Sequence, residues 1–115
     1  MSIKPFSKIR DVKDITDAEK QRIYDFLQGA LYCWCKNRPN EWFTVRDFLG
    51  GENFNWYGTP LQVLFEKHIT KGKSNDDAVA AAGKDAGWIA KKVINDDDRE
   101  FETQDGFVRS YRWTK

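Results

Sequence analysis

A tryptophan set among lysines is the pattern in this chain with the most chemical content. Trp88 has Lys84, Lys91 and Lys92 as its near neighbours. On a helix, at about 100° per residue, these four lie on the side away from Val79, Ile89 and Val93. An indole there stacks or wedges, and ammonium groups meet phosphates. Phosphate contacts supply most sequence-independent affinity for nucleic acid and make it salt-dependent. The competing reading is that Trp88 is covered by the chain's own N-terminal arm or by the loop at Trp56.

Three arginines follow. Arg109 and Arg112, with Arg99 at the base of the same segment, can reach a groove or a phosphate. They can equally pair across strands with Glu100 and Glu102, at ~0.2–1 kcal/mol per pair. The loop from Asn53 to Tyr57 carries aromatics among amides, a composition that stacks bases or ligand rings or pins a long loop to the core.

Other chemistry is weakly supplied. His68 is the only histidine, and no nucleophile stands at a recognisable spacing from it. Lys71-Gly72-Lys73-Ser74 contains a Gly-Lys-Ser triplet. A phosphate-cradling loop needs a glycine five positions before Gly72, where Lys67 stands, and it follows a strand, not a helix. Cys33 and Cys35 fall on a predicted helix with side chains about 200° apart, which excludes a disulfide between them unless the helix breaks. No ligand spacing supports a metal site. Asp96, Asp97 and Asp98 read as a hydrated run. A non-enzymatic chain without metal or cofactor is expected.

The totals bound the rest. The chain has 115 residues, 40% of them hydrophobic, with five Trp, four Tyr and eight Phe. One domain of this size buries roughly two-thirds of its unfolded surface. No stretch reaches the ~18 apolar residues of a membrane span, and Lys4, Lys8, Arg10 and Lys13 interrupt any secretory signal at the N-terminus. A reduced cytoplasmic protein with no membrane partner is the expectation. The 19 Lys and Arg against 18 Asp and Glu give a pI near 7.7. A nucleic-acid binder usually has a pI above ~9, so any basic face must come from arrangement.

Residues 1–15 read as an arm whose Phe6, Ile9, Val12 and Ile15 dock on the body, and residues 16–115 as the domain. Thr16 with Glu19 has the form of a capping box. The helix it opens carries Ile23, Phe26, Leu27, Ala30, Leu31 and Trp34 on one face and stops at Asn37, Arg38 and Pro39. Trp42 to Thr44 predicts a short strand, and Thr44 a brief helix through Leu49, ended by Gly50 and Gly51. Thr59 predicts a cap with Pro60 as the first helical residue. Asn75 to Asn95 is helical, with Gly83 and Gly87 pointing to a turn or to very close packing, since each costs ~1 kcal/mol relative to alanine. Asp105-Gly106 predicts a hairpin over Arg99 to Trp113. A three-residue loop, Gln104 to Gly106, puts Phe101, Phe107, Arg109, Tyr111 and Trp113 on one face, and Glu100, Glu102, Val108, Ser110 and Arg112 on the other.

This order of helix, short strand, helices and terminal hairpin resembles the winged-helix superfamily over residues 16–113. Val79, Gly83 and Ile89 also resemble a helix-turn-helix pattern, with Asp76 to Ala82 as the first helix and Ala86 to Asn95 as the recognition helix. Lys92 departs from that pattern, where an apolar anchor belongs. The resemblance implies an α+β, mostly helical domain with a C-terminal β-hairpin wing, and duplex DNA as the partner. Lys84, Trp88, Lys91, Lys92, Arg99, Arg109 and Arg112 are then the nucleic-acid-binding residues. The alternative is a protein-protein interaction module on the same scaffold, consistent with balanced charge and abundant aromatics. A weaker third reading is small-ligand sensing through the loop at Asn53 to Tyr57.

Overall fold

A computed structural model describes residues 2–3, 8–49, 55–106 and 109–114. Its elements are β1 (Ser2–Ile3), α1 (Asp17–Asn37), β2 (Phe43–Thr44), α2 (Val45–Phe48), α3 (Gln62–Thr70), α4 (Asn75–Asp96), β3 (Glu100–Gln104) and β4 (Ser110–Thr114). The protein is α+β, with helices packed on a small antiparallel sheet ordered β1-β3-β4-β2. No helix among the described residues is long and apolar enough to cross a membrane.

The capping box forms as expected. The Glu19 N–H donates to Thr16 Oγ1 at 3.0 Å, and the Thr16 N–H donates to Glu19 Oε1 at 2.8 Å. Along α1, Ile23, Leu27, Leu31 and Cys35 are buried, each Ile or Leu contributing about 1.5–3 kcal/mol. Phe26, expected on that face, sits at its edge and is 37% exposed. Asp47 accepts from the Thr44 N–H at 2.7 Å, which starts α2; the stop expected at Gly50 and Gly51 lies outside the described residues. Phe43 is the centre of the core. Its ring lies 6.0 Å from Trp34, 5.9 Å from Phe48, 6.5 Å from Phe101 and 5.9 Å from Tyr111.

Three sequence expectations are corrected. The helix predicted from Pro60 begins at Gln62, because Thr59 builds a turn first. Its hydroxyl donates to the Trp56 carbonyl at 2.7 Å and accepts from the Leu61 N–H at 3.2 Å.

The helix-turn-helix placed within Asp76 to Asn95 is also corrected. No turn occurs at Gly83, and α4 is one helix of 22 residues capped by Ser74. Its Ala78, Ala82, Ala86, Ile89, Ala90, Val93 and Ile94 are all buried, and this stripe carries the helix through both glycines. Close packing does not explain them either, since a Cβ on Gly83 or Gly87 would meet nothing within 4 Å. The glycine turn between paired helices falls at residues 71–74, between α3 and α4, with Gly72 at φ 91°.

The hairpin loop is longer than expected. Gln104 pairs with Ser110, so the connection runs from Asp105 to Arg109. Lengthening a loop by two residues leaves the face of every strand side chain unchanged, because the strand period is two. The partners do move, by four residues: Phe101 pairs with Trp113 where the shorter loop pairs it with Arg109, and Glu102 pairs with Arg112. Phe107 and Val108, assigned to opposite faces, lie outside the described residues.

The arm docks, as expected, through a buried Val12 and a partly buried Ile15; Phe6 lies outside the described residues. Its first residues do more than dock: β1 adds an edge strand to β3. Asp14 turns the chain into α1 at φ 66°.

Candidate nucleic-acid interface

Trp88 projects from the outward side of α4 yet is half-buried. The arm supplies much of the cover. The Arg10 guanidinium lies over the indole at 5.5 Å from its centre, and the Lys91 ammonium at 5.0 Å. Each gains from the ring's negative face. A cleft of about 480 Å³ opens beside the ring, with Ile9, Val12, Tyr24 and Ile89 among its apolar walls, and with Asp11, Asp17 and Asp96 set against Arg10, Lys20 and Lys92.

Lys91 is the electrostatic centre of the group. Partial burial lowers its ammonium pKa below the ordinary lysine value, and the nearby charges of Arg109 and Lys8 lower it further, against an opposing pull from Asp105. The arm through Arg10 and α4 through Lys91 therefore meet on the Trp88 ring, and the charges of Lys8 and of Arg109 at the hairpin tip lie near enough to act on Lys91. Arg109 also contacts Asp105 at 2.7 Å and donates to Thr103 Oγ1 at 3.3 Å.

The remaining predicted residues are placed differently. Lys84 is exposed on the same side of α4 as Trp88. Lys92 pairs with Asp96 at 3.2 Å, and Asp96 also accepts from the Tyr24 hydroxyl at 3.0 Å. That phenol is pushed up to about 12, by burial first and by Asp96 second. Arg112 pairs with Glu102 at 2.7 Å and covers Trp42 at 4.8 Å, the cross-strand arrangement that the alternation allows. Arg99 is enclosed. Asp97 accepts from its Nε at 2.9 Å and its Nη2 at 2.7 Å. Its guanidinium lies 4.9 Å from the ring of Tyr32, 5.8 Å from Phe101 and 5.3 Å from Trp113. The aspartate run between α4 and β3 is thus a structural anchor at Asp97 and Asp96, more than a hydrated stretch.

The other candidates are equally definite. Trp56 packs against the core while Tyr57 is 80% exposed; Asn53 and Phe54 lie outside the described residues. His68 is buried with its Nε2 2.8 Å from Asp85 Oδ2. Among the described residues no group of three or more His, Cys, Asp or Glu is placed to hold a metal ion.

Sequence reasoning missed Lys8 and Arg10. Both were visible as charges in the arm, but nothing local places an extended segment against a helix some eighty residues later. The chain matches no family model, no curated protein and no solved structure.

Proposed function

We propose that this is a small non-enzymatic winged-helix protein that binds nucleic acid, duplex DNA in particular. In this reading α4 as a whole takes the place of the recognition helix, and the loop from Asp105 to Arg109 is the tip of the wing. Lys84, Trp88, Lys91 and Lys92 present one surface of α4, and Arg109 extends it. Arg112 stands further along the hairpin, and Arg99 holds its base against α1.

The observation that carries the reading is the placing of Lys84, Trp88, Lys91 and Lys92 on one side of α4, with the Lys91 ammonium 5.0 Å from the indole centre, in a chain with almost no net charge. Positive groups gathered on one side of a helix repel one another in the free protein, a repulsion offset in part by Asp96 at Lys92 and by Asp105 near Lys91. A polyanion relieves that repulsion and releases counterions as it binds. Near-neutral totals do not prevent this, because phosphates respond to the local field.

Titration with a random-sequence duplex across a salt series tests the proposal. Binding is expected at low salt, weakening steeply as salt rises. Absent or salt-independent binding overturns it. The protein-docking alternative draws on the near-neutral charge, the abundant aromatics and the part of Trp88 left uncovered. It predicts that Trp88→Ala abolishes association with a protein partner while Lys91→Ala changes little.

A further inference from the structure

We propose that the N-terminal arm is part of this interface: Lys8 and Arg10 contact the phosphate backbone beside Lys91, and Trp88 is the positioning residue that holds Arg10 and Lys91 in place. The inference rests on the nucleic-acid reading above and goes further by assigning a third element and a different role to the indole.

The indole is already engaged by two cations, Arg10 at 5.5 Å and Lys91 at 5.0 Å. A base stacking on the ring would have to displace one of them. Leaving both in place uses the ring as a platform that holds two charges beside it. Arg10 is exposed and so is Lys8, so both are accessible to a ligand.

The arm is also held in register without help from a ligand. Before Lys8, β1 pairs with β3. After Arg10, Asp11 accepts from Lys20 at 2.7 Å, Val12 is buried, the Lys13 carbonyl accepts from Lys67 at 2.6 Å, and Asp14 pairs with Lys71. Such an arm loses little conformational freedom on binding, which favours affinity. The same clamps neutralise the two arm carboxylates. Asp11 and Asp14 face Lys20 and Lys71, so although Asp11 lines the same cleft as Trp88, its charge is matched by Lys20.

Three full-length proteins decide the matter: the wild type, the double variant Lys8→Ala/Arg10→Ala, and Trp88→Leu. Each is titrated with a random duplex from low to moderate salt, with the melting temperature as a control for folding. Loss of two phosphate contacts should lower the slope of log affinity against log salt by about 1.8. At ~0.1 M salt this corresponds to a loss of tenfold or more. Trp88→Leu removes the ring under both cations and should lower the slope, because Arg10 and Lys91 lose their platform; weaker binding with the full wild-type slope would mean that the indole stacks on a base and would overturn its positioning role.

If the wild type shows salt-dependent binding and the double variant keeps its full slope, the arm's role is overturned and the reading of α4 survives. Tighter binding by the double variant overturns it too, and makes the arm a cover over the site. If the wild type does not bind a duplex at all, both readings fall together.

Discussion

Lys67 of α3 and Asp85 of α4 meet at 3.0 Å with side chains only 10% and 19% exposed. The same Asp85 oxygen lies 2.8 Å from His68 Nε2, and the same Lys67 ammonium donates to the Lys13 carbonyl at 2.6 Å. One polar knot therefore joins the arm to α3 and α4. Replacing Asp85 by Ala removes the carboxylate from the imidazole and leaves the sequestered Lys67 ammonium with the Lys13 carbonyl but no counter-charge there. A loss of about 2–4 kcal/mol is expected on the scale for breaking a largely buried pair. Urea unfolding measures it, and a change below about 0.5 kcal/mol, the usual range of surface substitutions, would show the knot to be incidental.

Gly83 and Gly87 lie inside a continuous helix with open space where a Cβ would stand. Each substitution to Ala should raise stability by roughly 0.5–1 kcal/mol, since alanine loses less backbone entropy. Thermal unfolding reads the gain. A loss on Gly83→Ala would mean that the chain turns there after all.

The arm's tethers have a defined pH response. Hydrogen bonding from Lys20 holds the Asp11 carboxyl below its ordinary range, and hydrogen bonding from Lys71 does the same for Asp14. A carboxyl depressed in the folded state contributes stability above its unfolded pKa of about 3.9, and that contribution is lost as pH falls through the lower folded value. The tethers are thus complete at neutral pH and release only in acid below about 4. Carboxyl titrations followed by NMR should place both midpoints below the ordinary aspartate value. Midpoints at or above it would refute the paired geometry.

The two cysteines should differ in reactivity. Cys33 is exposed and Cys35 buried, and burial pushes the Cys35 thiol up to about 11. Only thiolate attacks a disulfide reagent, so at pH 8 one thiol should react readily in the native protein and the second only on unfolding. Mass mapping identifies which one. Two equally fast thiols would contradict the placement of Cys35 in the core.

How much of this was legible beforehand depends on how local the controlling interaction is. The capping box joins residues three apart, and the α1 stripe repeats every turn, so both can be read along the chain. The hairpin's faces survived an error in loop length because two extra residues preserve strand parity. The continuity of α4 could not be read locally. Gly83 argues for a break by its own propensity, and only the alanine stripe buried against the rest of the fold overrules it. Arg99, assigned to a ligand by its position, is instead captured by Asp97 and by aromatic rings drawn from α1, β3 and β4.

Periodicity and capping, whose energies act over a few residues, were enough to determine the succession of helices and the terminal hairpin. The meeting of Arg10 with Trp88, of Tyr24 with Asp96, and of Lys67 with Asp85 belongs to the tertiary structure alone. These contacts join segments that neighbour each other only after the core around Phe43 has closed, and no local preference encodes which distant charges that closure brings together.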